Sequence, residues 1–348
     1  MFSMSTMTQG WVDCMTKTQP STGNLLSVHD LHTQFATFDG VVKAVSGVSF
    51  EIAPRESLAL VGETGCGKSV TAYSILRLIY PPGKIVRGEV VFKGEKDLLK
   101  ISEREMSEIR GSRISMILQE PMTSLNPVFT VGDQIASILM RHKHLSREEA
   151  LRHATEFIRS VRIPDPERIA RQYPHELSGG MRQRILIAMA LSLSPELIIC
   201  DEPTTYLDVT VQAQILRLIK GLQERLNASM LLITHNLGVV AHYCDTVAVM
   251  YAGSVVEIAD VKALYDDPKH PYVRGLLSAI PSTTKSPRRL ESIPGSVPSL
   301  INPPTGCKFH PRCRYAMLAC KKAAPQLVNV GRQHNVACYL YGNEAEEW

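Results

Sequence analysis

The chain has 348 residues, 44% hydrophobic and 21% charged, with a net charge of +4. That is the composition of a soluble globular protein of one large or two smaller domains, long enough to bury a core. No apolar run approaches the ~18 to 20 residues that a membrane-spanning helix needs. Residues 1–24 carry no basic and apolar leader, so they are expected to be a disordered extension of a chain that stays in the cytoplasm.

The first predicted element is the apolar strand Leu58-Ala59-Leu60-Val61, followed by Gly62-Glu63-Thr64-Gly65-Cys66-Gly67-Lys68-Ser69 and a helical stretch from Val70 to Leu78. Strand, glycine loop and helix in this order make a P-loop, the cradle of a nucleoside triphosphate. Its backbone N–H groups and the helix N-terminus point at phosphate oxygens, where the positive end of the dipole favours an anion. Gly62, Gly65, Cys66, Gly67, Lys68, Ser69 and Val70 are the candidate phosphate contacts. Lys68 is placed on the β- and γ-phosphates and the Ser69 hydroxyl on Mg²⁺. Cys66, beside Lys68 and a helix start, is expected to have a lowered thiol pKa.

Next comes the strand Ile114-Ser115-Met116-Ile117-Leu118, ending at Gln119. Two prolines in Pro121-Met122-Thr123-Ser124-Leu125-Asn126-Pro127 exclude a continuous helix there, and a helical subdomain is expected over about residues 120–176. Leu177-Ser178-Gly179-Gly180-Met181-Arg182-Gln183-Arg184 leads into a helix from Ile185 to Ser192. It is a second anion-binding helix start, but one without a lysine of its own. The fully apolar strand Leu197-Ile198-Ile199-Cys200 ends in Asp201-Glu202, two carboxylates at the carboxyl end of a buried parallel strand. Asp201 suits the Mg²⁺ shell, and Glu202 suits a base that takes a proton from attacking water. Met230-Leu231-Leu232-Ile233-Thr234 is a further strand, ending at His235, which by itself reads as a polar strand terminus.

A strand-rich stretch from Val247 to Val256 precedes Pro268-Lys269-His270-Pro271-Tyr272-Val273-Arg274-Gly275-Leu276-Leu277 and a proline-rich connector from Pro281 to Pro304. Cys307, Cys313, Cys320 and Cys338 then follow with spacing C-x5-C-x6-C-x17-C. Reduced thiols in a cytoplasmic protein favour a metal over disulfides, yet the close C-x2-C pairs of zinc ribbons are missing. A cluster, a zinc ion and unligated thiols all remain open. From Pro268 onward eleven Lys and Arg face four Asp and Glu. Such a basic extension suits anionic headgroups or an acidic partner, with solvated surface charge as the plainer account, and no aromatic-basic interleaving points to nucleic acid.

With LSGGMRQR standing between the P-loop and Asp201-Glu202, the chain resembles the nucleotide-binding subunits of ATP-binding cassette (ABC) transporters. The resemblance implies an α/β fold: a P-loop NTPase ABC nucleotide-binding domain with a RecA-like core, an antiparallel β subdomain, a helical signature subdomain and a small C-terminal metal-binding extension. It implies that Ser178, Gly179 and Gly180 engage the γ-phosphate held by a second subunit, and that Gln119 contacts Mg²⁺ or water. His235 would hold the catalytic geometry, and Asp208 would lie in the loop along the dimer seam. Phe38 would stack on adenine, with Phe35 as its rival. Catalysis would rest on Glu202, His235, Gln119 and Lys68, and Mg²⁺ on Ser69, Gln119 and Asp201. Tyr206 and Asn236 depart from the family's usual alanine and aspartate.

PMTSLNP and the His270-Pro271-Tyr272 stretch resemble the oligopeptide and dipeptide import branch. Members of that branch hold a [4Fe-4S] cluster at such a cysteine pattern, which implies Cys307, Cys313, Cys320 and Cys338 as ligands. The implied division is an ATPase domain over residues 25–267 and an extension over 268–348. ATP, Mg²⁺ and the cluster are the implied cofactors. The implied partners are two membrane permease subunits, a related second ATPase subunit and, indirectly, an extracytoplasmic substrate-binding protein, with this chain peripheral on the cytoplasmic face. Importers of nickel or oligosaccharides share the branch. A soluble ABC ATPase acting on nucleic acid is the alternative of another class, but the coiled-coil insertion or paired cassettes usual there are missing.

Overall fold

Alternating buried and accessible residues carry the first strands of the computed structural model, which describes residues 23–120, 124–205, 207–279, 293–331 and 333–341. Strands β1 (Leu26–Thr37) and β2 (Gly40–Ile52) pair antiparallel through a tight turn. After β3 (Ser57–Val61) and helix α1 (Lys68–Ile75), β4 (Gly83–Phe92) pairs with β1 and the short β5 (Lys96–Asp97) with β4. The result is a four-stranded antiparallel sheet in the order β2-β1-β4-β5.

Helix α2 (Glu103–Ile109) starts at a capping box of Ser102 and Glu105 and leads to β6 (Ile114–Ile117). The helical subdomain follows: α3 (Val131–Lys143), α4 (Arg147–Ser160) and the single turn α5 (Pro166–Ile169). Ser146 and Glu149 form a second capping box at the start of α4, a device that contributes about 1 kcal/mol by satisfying otherwise orphaned N–H groups. The buried face of α3 and α4, with Ile135, Leu139, Ala154 and Ile158, shares one core with α6 (Gly179–Leu191) and with Ile198 and Leu232 of the central sheet.

That central sheet holds β7 (Leu197–Asp201), β8 (Ser229–Thr234), β9 (Thr246–Tyr251) and β10 (Ser254–Asp260), separated by α7 (Val209–Leu226) and α8 (Leu237–Tyr243). Its order is β11-β12-β10-β9-β3-β8-β7-β6, where β11 is Val328–Asn329 and β12 is Asn335–Val336. From β9 to β6 the strands run parallel. Every residue of β3, β7 and β8 is buried, as expected where helices cover both faces of a parallel sheet.

Beyond β10 the chain forms α9 (Val261–Asp266), α10 (Pro271–Ser278), α11 (Leu318–Lys322) and the two-residue strands β11 (Val328–Asn329) and β12 (Asn335–Val336). β12 pairs antiparallel with β10, so the extension covers an edge of the core sheet that would otherwise present unpaired backbone groups. Its rings Tyr272 and Phe309 pack on Tyr251 of β9 with centroids 4.7 and 5.2 Å away. Fully buried Glu257 accepts hydrogen bonds from the backbone N–H of Lys269 and His270 and faces His334 Nε2 at 2.6 Å. These partners offset the cost of burying a carboxylate and tie the last strand to the start of α10.

The predicted strands hold within a residue or two. The helix expected from Ile185 already begins at Gly179, which puts the two glycines in its first turn. Residues 1–22, Pro121 to Thr123, Tyr206 and residues 280–292 of the connector lie outside the described residues. Among the described residues no helix is long and apolar enough to cross a membrane.

Candidate functional site

In an open parallel sheet the polar groups that follow each strand gather at the carboxyl edge. Here the phosphate loop leaves β3, Gln119 follows β6, Asp201 ends β7 and His235 follows β8. Ser69 Oγ, in the first turn of α1, donates to Asp201 Oδ1 at 2.9 Å across the intervening strand β8. Glu202 turns out of β7 in the left-handed region, with φ 42°. Its Oε2 accepts from Thr205 Oγ1 at 2.8 Å and from Gln119 Nε2 at 3.4 Å, while Oε1 faces His235 Nδ1 at 3.3 Å. Four predicted residues, Gln119, Asp201, Glu202 and His235, thus converge beside the loop. Gln119 is brought to Glu202, and its described hydrogen bond is not to Ser69 or Asp201.

The loop takes its shape from close backbone approach. A Cβ on Gly67, the N-cap of α1 at φ 103°, would lie 2.3 Å from the Ala44 carbonyl of β2, and one on Gly62 would lie 2.3 Å from the Met250 carbonyl of β9. No side chain fits either position. Lys68 is 5% exposed, and its Nζ donates to the carbonyl oxygens of Gly62 at 2.9 Å and Glu63 at 3.1 Å. Gly65, Ser69 and Val70 complete the loop and the first turn of α1, whose leading N–H groups have no partner inside the helix.

Asp201 offers a direct test of fit for Mg²⁺. Among the described residues its buried Oδ2 has no hydrogen-bond partner, although the Tyr73 hydroxyl acts on the same carboxyl. Burial above all pushes this carboxyl upward, with the bond from Ser69 opposing and the charge of Glu202 adding. A divalent cation beside Oδ2 would favour the charged form. The hydroxyl of Ser69 and this orphaned oxygen are the donor set that Mg²⁺ takes when most of its shell is water and phosphate, so the residues fit the ion.

Cys66 corrects an expectation. Its thiol is fully buried under the loop, and that burial raises its pKa, outweighing the opposing pull of Lys68. Proximity to a cation and a helix start lowers a thiol pKa only where the thiolate stays solvated. Phe38 is fully exposed at the tip of the β1–β2 turn, a position open to stacking, whereas Phe35 lies along β1 against Gly83. Ser178 is the exposed N-cap of α6 and accepts from the Met181 N–H, and a Cβ added at Gly180 would just touch Val211 of α7. No hydrogen bond joins Ser178, Gly179 or Gly180 to the phosphate loop among the described residues. Asp208 is the exposed N-cap of α7 and makes no cap bond with its side chain. Asn236 likewise stands at the N-cap of α8 without a side-chain bond.

The four late cysteines are brought together in part. Cys307, Cys313, Cys320 and Cys338 line one small cavity with Phe309 and His310, and all four are free thiols. Burial first, and neighbouring thiols after it, raise Cys307 and push Cys338 up to about 11. Yet no group of three or more His, Cys, Asp or Glu among the described residues is placed to hold a metal ion. The expected metal-binding extension therefore has its donors around one cavity but not in a ligating arrangement.

Three contacts escaped sequence reasoning. Thr205 donates to Glu202, the Tyr272 hydroxyl accepts from the Glu63 N–H at 3.1 Å, and Arg312 pairs with the Glu63 carboxylate at 3.0 Å. Tyr272 stood in a motif that the sequence did reveal, but nothing local connects it to a loop 209 positions away.

Comparison with known proteins agrees with this geometry. Residues 45–205 match the ABC transporter family and residues 256–320 the oligopeptide/dipeptide transporter C-terminal region. The probable peptide ABC transporter ATP-binding protein of Sinorhizobium fredii is 53% identical, over 93% of this chain and 97% of that protein. The dipeptide transport ATP-binding protein DppD of Bacillus subtilis is 49% identical, over 92% and 96%. A solved dimeric ATP-binding cassette in a post-hydrolysis state, bound to ADP and Pi, superposes with a TM-score of 0.61 at 25% identity, covering 68% of this chain and 98% of that chain.

Proposed function

This chain belongs to the ATP-binding proteins of peptide ABC transporters, and from that premise we propose that it hydrolyses ATP to power the import of dipeptides or oligopeptides through separate membrane subunits. The observation that carries the reading is the gathering of Lys68, Ser69–Asp201 and the Glu202–Gln119–His235 group at one edge of the sheet. On this reading residues 25–267 are the ATPase and 268–348 an extension to it.

The phosphate loop and the start of α1 bind the triphosphate, with Lys68 countering charge on its β- and γ-phosphates. Ser69 and Asp201 would hold Mg²⁺, which would supply charge neutralisation at the phosphoryl oxygens. Glu202 takes the proton of the attacking water, and Thr205, Gln119 and His235 orient its carboxylate. Phe38 offers its exposed ring to adenine. Ser178, Gly179 and Gly180 serve the site of a second cassette, because their helix start supplies N–H groups but no cation. Asp208 and Asn236 lie at exposed helix starts suited to the same seam. The dimeric cassette superposed above supports this pairing.

With two permease subunits and a related second ATPase, the chain sits peripherally on the cytoplasmic face of the membrane. The expected result is that it pellets with membranes alongside those partners, washes off without detergent, and that the purified assembly releases phosphate from ATP in a vanadate-sensitive way. A chain that stays soluble, or an assembly with no such activity, removes the proposal.

For the extension, Cys307, Cys313, Cys320 and Cys338 are the proposed ligands of a [4Fe-4S] cluster. Four free thiols around one cavity support it by chemistry. These cysteines would hold the cluster, which would cross-link an extension with few long elements. Protein purified without oxygen is expected to carry about four iron and four sulfide per chain and to lose visible absorbance on Cys313→Ser. Zinc, or no metal at all, in that preparation would exclude the cluster.

A further inference from the structure

The phosphate loop is gripped from outside by the C-terminal extension. Glu63, its second residue, has its backbone N–H on the Tyr272 hydroxyl and its carboxylate on Arg312. The Arg312 side chain is 8% exposed. Its Nη1 reaches both Glu63 oxygens, at 3.0 and 3.4 Å, and the Tyr251 hydroxyl at 3.3 Å, while Nη2 reaches Oε1 and Nε donates to the Pro294 carbonyl at 2.8 Å. The guanidinium also lies over the rings of Tyr251 and Phe309. A planar fork so held cannot drift with solvent as a surface lysine does.

A second bridge runs from the same short segment. Lys308 Nζ donates to the Ala252 carbonyl at 2.7 Å and to Ser254 Oγ at 2.9 Å, on the β9–β10 turn. The middle residue of that turn, Gly253, donates its N–H to the Cys66 carbonyl at 2.9 Å. Lys308 follows Cys307 and Arg312 precedes Cys313, so one stretch of five residues touches the loop directly at Glu63 and indirectly at Cys66.

Glu63 poses an electrostatic problem for a loop that must hold a polyanion. The Lys68 ammonium, already bonded to the Glu63 carbonyl, must serve the phosphates while a carboxylate stands on the same residue. Left unpaired, that carboxylate would repel the triphosphate and compete for Lys68.

We propose that Arg312 is a positioning residue for the phosphate loop, neutralising Glu63 and fixing the loop so that nucleotide affinity is set by the C-terminal extension. The proposal rests on the nucleotide site described under Proposed function. It is tested by titrating the full chain with a fluorescent N-methylanthraniloyl ATP and Mg²⁺. Arg312→Gln is expected to weaken binding about tenfold and to raise KM for ATP with kcat changed less than about twofold, less than the cost of truncating a charge that itself meets the phosphates, because Arg312 acts on the nucleotide only through Glu63. Adding Glu63→Gln to that variant is expected to restore affinity to within about threefold of the parent, because the repelling charge is gone. Simple loss of packing would not be rescued in this way.

Arg312→Gln binding within about twofold of the parent, or a double variant as weak as the single one, overturns the proposal. Glu63→Gln alone keeps an acceptor for Arg312 and is expected to bind at least as tightly as the parent; a loss beyond about threefold overturns the proposal even if Arg312→Gln does not fold. A parent chain that binds no nucleotide defeats the nucleotide-site reading instead, so the two failures are told apart.

Discussion

Glu202→Gln is expected to cut ATP turnover by about 10²- to 10⁴-fold, the usual contribution of a positioned general base, while leaving ATP binding in place. The side chain keeps its shape and still has an oxygen to accept from Thr205, so neither the end of β7 nor the left-handed turn at residue 202 has reason to move. What disappears is a carboxylate able to take a proton. Because binding survives and hydrolysis does not, the variant should accumulate as an ATP-bound pair of cassettes, seen by light scattering and by nucleotide retained through gel filtration. Turnover at the parental rate would take Glu202 out of the base role. Loss of ATP binding as well would mean that its charge serves the loop and not the water.

Lys68→Ala is expected to act one step earlier. Truncating one partner of a desolvated, hydrogen-bonded charge interaction costs about 2–5 kcal/mol, about 30-fold to several thousand-fold in affinity. Lys68 is 5% exposed and bonded to the Gly62 and Glu63 carbonyls, so alanine removes the charge for the phosphates and also a strut of the loop's own backbone. The readout is the dissociation constant for Mg-ATP by titration, beside thermal unfolding with and without nucleotide. The parent should gain melting temperature with nucleotide and the variant should not. Equal stabilisation of both proteins would place the phosphates elsewhere.

These two residues were legible in the sequence because their chemistry is local. An apolar run, glycines at fixed offsets and a lysine opening a helix describe a loop whose parts lie within a dozen positions. The same holds for Asp201, Glu202, Gln119 and His235. Each follows a mostly apolar strand, and a parallel sheet must deliver all such ends to one edge. Sequence left Phe38 and Phe35 as rivals, and the exposure of Phe38 at the β1–β2 turn supports it as the ring proposed for adenine. Cys66 was misjudged because sequence shows which charges are near but not whether water is.

By itself, then, the sequence determined the strands, the loop, the helix starts and the order in which polar residues cap them, since each is set by short-range sterics, periodicity and hydrogen bonding. How the extension joins the rest follows from long-range packing. β12 adds to the edge of the core sheet at β10, and Arg312 meets Glu63 across 249 positions. A single buried carboxylate, Glu257, ties His334 to the start of α10. Such contacts pair residues that share no local pattern, and what selects them is the burial of Tyr251, Tyr272 and Phe309 in one small core. Removing those rings from water is a property of the whole packed surface, and it leaves no periodic trace in the chain.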